Sequence, residues 1–330
     1  MHRAKIARVW LLVAVVAALA QVVAVAQPPY DPRPLAAAAG PEDAAPFTFA
    51  VFGDSYANPP LAGLMKMVAL RKPVLAVTTG DMVAVGADAS DWEILSRRAG
   101  WFLKSIPTWP VIGNHELNGG ETAGRSNFER FYALPSVSYS FSFRRCKFIV
   151  MGYDMRQKDE LSFLRQELAD RNRYDYVFVF RHAPFYTVGW KSARQVPNRQ
   201  TEVTELFEQR RVTAVFSGHD HIYYRTRRGG VCYITAGIAG AGIYELKRRD
   251  ESVPGDAYMG TEGSRFVLHV PGTPDRIVPR NQSSASDWLF AVFVRVDGER
   301  VTAQTVPVKG EVWDEFSLLS AARPEAATVR

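Results

Sequence analysis

Cysteine is nearly absent: Cys146 and Cys232 are the two in 330 residues. That excludes a disulfide-stapled scaffold and a thiolate zinc cluster. Both lie in apolar runs that read as strands, a common setting for a buried free thiol, and the sequence leaves open whether they pair. A strong charge of either sign is also lacking. The formal excess is +6, and residues 1–26 hold three basic residues and no acidic one, so without them it is +3. Bulk charge therefore gives no support to a nucleic-acid or membrane-surface partner. No internal repeat is visible, which excludes a solenoid or propeller. What is plentiful is apolar surface: 47% of residues are hydrophobic and 12% aromatic, enough for a large core and incompatible with disorder.

The beginning of the chain has its own character. Arg3, Lys5 and Arg8 precede an apolar run over residues 9–26, broken by Gln21 and ending Ala24-Val25-Ala26-Gln27. A charged start, an apolar centre and a small-x-small end read as an export signal, with an uncleaved membrane anchor as the alternative. The expectation is an exported protein, periplasmic or secreted, or one held in the membrane by residues 9–26. Residues 27–46 are rich in Pro and Ala and read as an extended, unpacked linker. The catalytic domain is expected over residues 47–320, with a frayed tail at 321–330.

From residue 47 onward, short apolar runs alternate with helical periodicity. Residues 47–52, 74–78, 109–112, 176–180 and 213–216 read as buried strands. Helices are predicted over 61–71, 90–104, 159–170 and 201–210, where Leu161, Leu164 and Leu168 share one face, as do Val203, Leu206 and Phe207. Such alternation implies an α/β domain. Hairpins are expected at 139–153, 222–235 and 288–306, the last around Asp297-Gly298. Residues 247–286 read as a long polar insertion or loop, although His269 falls in an apolar run of its own and reads as a strand residue. The basic pairs Arg144-Arg145 and Arg227-Arg228 read as solvated turns.

The informative feature is the polar segment at the end of each buried strand. The five runs lead into Gly53-Asp54, Gly80-Asp81, Gly113-Asn114-His115-Glu116, His182 and Gly218-His219-Asp220-His221. Four of the six histidines fall in these segments. In open α/β sheets, ligands bind beyond the carboxyl ends of the strands, so these residues should converge on one patch. Each motif alone is an ordinary turn or cap. Together, Asp, Asn and His at five strand ends form a donor set suited to Mn, Zn or Fe, and no packing rule requires them there.

This ordered set, with Tyr223 and Arg225 just after it, resembles the calcineurin-like metallophosphoesterases, a family related to the purple acid phosphatases. The resemblance implies an α/β fold in four layers, a two-sheet β-sandwich flanked by helices, holding two metal ions. It implies that Asp81 bridges the metals, that Asp54 and His221 hold one, and that Asn114, His182 and His219 hold the other. His115 would be no ligand but the general acid for the leaving oxygen. The chemistry fits: an anionic ester repels a nucleophile, and two cations neutralise its oxygens and lower the pKa of a bound water to about 7, so that a hydroxide attacks in line. The implied substrate is a small-molecule phosphate ester, a monoester first, with diesters of nucleotides or lipid head groups as the alternative.

The chain departs from the family pattern in two places. Tyr56 stands where many relatives carry a histidine ligand, and Ala84 stands where the purple acid phosphatases carry a tyrosine ligand and other relatives an aspartate that orients the general acid. The Asp54/Tyr56 side of the centre is therefore the less certain one, with Tyr56 either a phenolate ligand or a wall of the pocket. There are two rival readings. Phe52-Gly53-Asp54-Ser55 also resembles the first block of the Gly-Asp-Ser esterases, with Ser55 as nucleophile. That mechanism needs a histidine three residues after an aspartate, which this chain lacks. The other rival is a binding protein on a degenerate phosphoesterase scaffold.

Overall fold

In the strand Phe47-Thr-Phe-Ala-Val-Phe every side chain but one is buried, so it belongs in the middle of a sheet covered on both faces. The computed structural model, which describes residues 30–38, 45–153, 157–190 and 201–319, puts it there. This strand, β1 (Phe47–Phe52), is parallel to β2 (Leu75–Thr78), which is parallel to the two-residue β3 (Thr108–Trp109). On its other side β1 is antiparallel to β13 (Phe290–Asp297), which forms the expected hairpin with β14 (Arg300–Pro307), and β15 (Asp314–Ser317) closes that edge.

The second sheet has nine strands. From one edge to the other they are β12 (Arg276–Pro279), β11 (Arg265–His269), β10 (Ala257–Glu262), β8 (Tyr223–Arg228), β9 (Val231–Ala236), β7 (Ala214–Ser217), β6 (Tyr176–Phe180), β5 (Cys146–Val150) and β4 (Tyr139–Phe143). Its central pairs, β5–β6, β6–β7 and β7–β9, are parallel. Two-residue periodicity sorts its side chains. Tyr176, Phe178 and Phe180 enter the core shared with the first sheet, whereas Val177 and Val179 enter a separate core on the other face. The shared core is aromatic: Phe49 of β1 meets Phe148, Phe178, Phe180 and Phe216 of the second sheet edge-on, at 5.0 to 6.4 Å between ring centres.

Helices α2 (Leu61–Leu70) and α3 (Ala89–Leu103) pack against the first sheet through Leu61, Leu64, Met65, Val68, Leu95 and Phe102, the last 5.9 Å from Phe52. Helices α6 (Gln157–Glu167) and α7 (Glu202–Gln209) set Leu161, Leu164, Val203, Leu206 and Phe207 against the far face of the second. The result is helix, sheet, sheet, helix, the four layers expected. The sheets are also tied by polar contacts. Asp314 of β15 accepts at Oδ2 from Tyr223 Oη and Arg225 Nε, both at 2.6 Å, so those two motif residues brace the sandwich rather than the site. Cys146 and Cys232 are buried and free.

Two expectations are corrected. The Pro/Ala-rich stretch is not extended and unpacked throughout: Pro32–Ala38 form helix α1, and Tyr30 before it is only 7% exposed. The Tyr30 ring packs on Phe131, its hydroxyl lies 2.7 Å from Ser96 Oγ, and a Cβ on Gly100 of α3 would come within 2.6 Å of that hydroxyl. One aromatic anchor and an alanine-rich turn outweigh the prolines, the first of which occupies a position where a helix needs no N–H. Residues 247–286 are likewise not one long loop, since β10, β11 and β12 extend the second sheet there. Their polar composition comes from the exposed edge strand and the turns, while Met259, Phe266 and Val267 are buried. Among the described residues no helix is long and apolar enough to cross a membrane. The predicted signal or anchor and the tail lie outside the described residues.

Candidate metal centre

The loops after β1, β2 and β3 leave the first sheet where those after β6 and β7 leave the second. They are tied to one another by backbone bonds: Asp54 N donates to Gly80 O at 2.9 Å, Ser55 N and Tyr56 N to Asp81 O at 3.0 Å, and Gly218 N to His182 O at 2.9 Å. The turns are tight enough that Asp54, Asp81 and His219 have φ of 59, 53 and 67°, the left-handed region that side chains disfavour. Glycine makes room beside them. A Cβ on Gly113 would lie 2.3 Å from Asp81 Oδ1, and one on Gly218 2.2 Å from Asp54 Oδ2.

All six expected ligands and His115 come together. Asp81, His182 and His219, all buried, each offer one ligand atom within 4.8 Å of the others. Asn114 Oδ1 lies 3.1 Å from His182 Nε2 and 2.8 Å from His219 Nδ1, and Asp81 Oδ2 lies 3.3 Å from His182 Nε2. On the other side, Asp54 Oδ1 accepts from His219 N at 2.9 Å and stands 3.6 Å from His221 Nε2.

Backbone carbonyls fix which nitrogen of each histidine faces inward. His182 Nδ1–H donates to Thr79 O at 2.7 Å and His221 Nδ1–H to Gly242 O at 2.7 Å, so Nε2 of each faces inward, and in the neutral ring it is the nitrogen with the lone pair a metal needs. Asp81 Oδ2 is buried with no hydrogen-bond partner among the described residues. Burial alone would raise the Asp81 carboxyl, but His182 and His115 more than reverse this and hold it at about 2. Burial would lower His182, but Asp81 and Asp54 push it up to about 9. The carboxylates thus draw positive charge to this spot, and the donor set fits a borderline cation.

The Asp54 side is differently furnished. The Tyr56 hydroxyl donates to His221 Nε2 at 3.1 Å, and its ring lies 4.3 Å from that of His115. Burial, then Asp81 and Asp54, push Tyr56 above the usual tyrosine range, favouring the neutral phenol. The missing side chain at position 84 is replaced by backbone: His115 Nδ1–H donates to Ala84 O at 2.8 Å, which turns Nε2 toward the centre, 4.0 Å from Asp81 Oδ2. Ser55 is fully buried and donates to Met82 O at 3.1 Å, so it is not presented as a nucleophile.

Sequence reasoning gave Glu116 no role. Its side chain, 1% exposed, accepts from Asp81 N at 2.8 Å and Gly113 N at 2.7 Å through Oε2, and from Met82 N at 2.7 Å and Val83 N at 3.4 Å through Oε1. One carboxylate thereby holds the loops that carry Asp81 and Asn114. Burial and the charge of Asp81 push it up to about 7. A glutamate inside a metal-type motif and next to Leu117 was the available signal. Tyr244 was also missed; its ring stacks on His221 at 4.0 Å.

Comparison with known proteins places the chain in a family. A family model described as calcineurin-like phosphoesterase matches residues 47–223. Purple acid phosphatase 22 of Arabidopsis thaliana is 22% identical over 205 residues, 57% of this chain and 47% of that protein. Purple acid phosphatase 18 of the same plant is 26% identical over 56% of this chain and 45% of its own length. The chain thus spans about half the length of the curated relatives it matches. Among solved structures, purple acid phosphatase PPD1 from yellow lupin (Lupinus luteus) seeds superposes with a TM-score of 0.62 at 12% identity, over 83% of this chain and 54% of that one. GAP50, the anchor in the inner membrane complex of Plasmodium, does so with a TM-score of 0.57 at 13% identity, over 84% and 90%. At these identities the superpositions establish the fold.

Proposed function

The chain belongs to the calcineurin-like phosphoesterases, and on that premise we propose that it is a metal-dependent hydrolase of phosphate esters, with monoesters favoured over diesters. Asp54 and His221 would hold one metal, Asn114, His182 and His219 a second, and Asp81 would serve both. The observation that carries this reading is the buried cluster of Asp81, His182 and His219, whose ligand atoms lie within 4.8 Å of one another at the ends of β2, β6 and β7.

Metals bound there would neutralise the phosphoryl oxygens and lower the pKa of a bound water to about 7. The chain's own residues do the rest. Carbonyls of Thr79 and Gly242 keep His182 and His221 in the tautomer that presents Nε2. His115 is anchored through Nδ1 to Ala84 O, so its Nε2 can hand a proton to the leaving oxygen. Its side chain is 22% exposed, which leaves that face reachable by a substrate. Residues 1–26 are assigned to export on their sequence pattern.

The test is elemental analysis of the purified chain together with hydrolysis of simple esters. Near two metals per chain, and loss of both metal and turnover in Asp81→Ala, are expected. Failure to bind Mn, Zn or Fe on reconstitution would overturn the reading and favour a binding protein on the same scaffold.

A further inference from the structure

Among the described residues, Leu70 and Trp101 on α2 and α3 and Ile277 on the edge strand β12 are exposed apolar side chains outside the loops of the centre, and the smaller Val85 lies beside Ala84. Trp190 differs. It is 52% exposed, yet its ring stands edge-on to Tyr244 at 6.0 Å and 85°, and Tyr244 lies face-to-face on His221. The indole is thus two ring contacts from a candidate metal ligand.

Its backbone is held in place without help from the indole. Gly189 N donates to Thr187 Oγ1 at 2.9 Å, and Thr187 Oγ1 in turn donates to Asp220 Oδ2 between His219 and His221. A Cβ on Gly189 would fall 2.9 Å from that same carboxylate, and Val188 O accepts from Arg248 N at 3.1 Å. The segment is fastened to the loop that carries two ligands, and it presents a large flat ring to solvent. Exposure of that ring gains the fold little, whereas an aromatic face beside a phosphoryl site offers area and stacking geometry to a planar group.

We propose that Trp190, backed by Tyr244, is a specificity residue that stacks the planar aromatic ring of a phosphomonoester's leaving group. This rests on the phosphoesterase reading of the centre. In the reaction it serves, the P–O bond to the ring-bearing alcohol breaks, the oxygen of water joins phosphorus, and the departing oxygen takes a proton. An aryl phosphate brings its ring directly to the phosphoryl group, and a nucleoside monophosphate brings it at the end of a sugar, so both belong to the test.

Wild type, Trp190→Ala and Trp190→Phe are compared on 4-nitrophenyl phosphate, adenosine monophosphate and glycerol 2-phosphate. Ratios of kcat/KM, aromatic over aliphatic, are taken within each protein, so intrinsic leaving-group reactivity cancels between variants. In Trp190→Ala the ratio should fall by about three- to tenfold, through KM, and Trp190→Phe should retain most of it. A fall confined to the aryl phosphate assigns the ring to aryl esters, and one confined to adenosine monophosphate assigns it to nucleosides. Ratios unchanged in Trp190→Ala, with all three esters hydrolysed, overturn the proposal while leaving the hydrolase intact. If wild type hydrolyses none of them, the monoester reading of the centre fails instead. Calorimetric titration of adenosine monophosphate against glycerol 2-phosphate then decides: equal affinities in wild type and Trp190→Ala refute the stacking face, and a selective loss in Trp190→Ala sustains it.

Discussion

Glu116→Gln is the substitution that asks most of the structure, because it alters one atom of a buried group that touches no substrate. At pH 8 the carboxyl, pushed up to about 7, is ionised and accepts from four backbone N–H groups on two loops. An amide keeps the shape but turns one acceptor into a donor. If its nitrogen takes the Oε1 position, the Met82 and Val83 N–H groups, at 2.7 and 3.4 Å, face another donor. An unsatisfied buried N–H costs about 1–3 kcal/mol, and the long Val83 contact adds less. The remaining bonds to Asp81 N and Gly113 N become neutral, forfeiting roughly half their strength, about 1 kcal/mol between them. The total is about 4 kcal/mol. Release of the buried charge, whose cost is what pushes the carboxyl up to about 7, offsets part of it, and a domain with a stability of about 5–15 kcal/mol survives the remainder.

The same loss loosens the loops bearing Asp81 and Asn114, so metal affinity should fall about 10- to 100-fold, as for other residues that orient ligands. The assay is urea unfolding of metal-free protein at pH 8, paired with competitive zinc titration of the folded variant. Unaltered metal affinity would refute the reasoning whatever the change in stability, since the released charge offsets part of the lost bonds in stability but not the loosening of the loops. It would mean that the loops are held by their mutual backbone ties alone.

The same geometry sets three further outcomes. His115→Ala should keep its metal content and lose about 100-fold or more in turnover, most on esters with poor leaving groups; kinetics alongside elemental analysis separates this from a ligand's behaviour. Asp314→Ala strips the acceptor from Arg225 and Tyr223 and should destabilise the chain by about 3–5 kcal/mol in urea, with the folded fraction still loading metal. Cys146, pushed up to about 12 by burial and the charge of Asp175, and Cys232, pushed up to about 11 by burial, should resist iodoacetamide at pH 8 and react only on unfolding, as mass spectrometry will read out.

The candidate ligands were legible because their chemistry is unusual for its place: Asp54, Asp81, Asn114, His182 and His219 all fall in the short segments that follow buried strands, where packing asks for none of them. Continuous apolar runs made those strands readable, and the structure shows why they are continuous: Tyr176, Phe178 and Phe180 enter one core while Val177 and Val179 enter another. Of the strands at 257–279 only the run around His269 was legible; β12 was not, because an edge strand shows its polar side to solvent and Arg276 and Pro279 are as exposed as any loop. Tyr30 was hidden for the opposite reason: one ring among prolines and alanines carries no periodicity, and its seat beside Gly100 is set by a segment 70 residues away.

The most instructive case is position 84. Motif reading treats a site as a set of side chains, and by that standard Ala84 removes whatever orients His115. Its carbonyl supplies the acceptor, at 2.8 Å from Nδ1, and every residue has a carbonyl. Orientation is thereby preserved, but the electrostatics change. A carboxylate there would add a full negative charge beside the ring, where the carbonyl supplies only a dipole. An apparent gap in the motif is thus filled by backbone. Because Ala84→Asp leaves that carbonyl in place, it should change turnover by less than about tenfold, whereas a large gain in turnover would show that the carbonyl alone does not hold the ring as a carboxylate would.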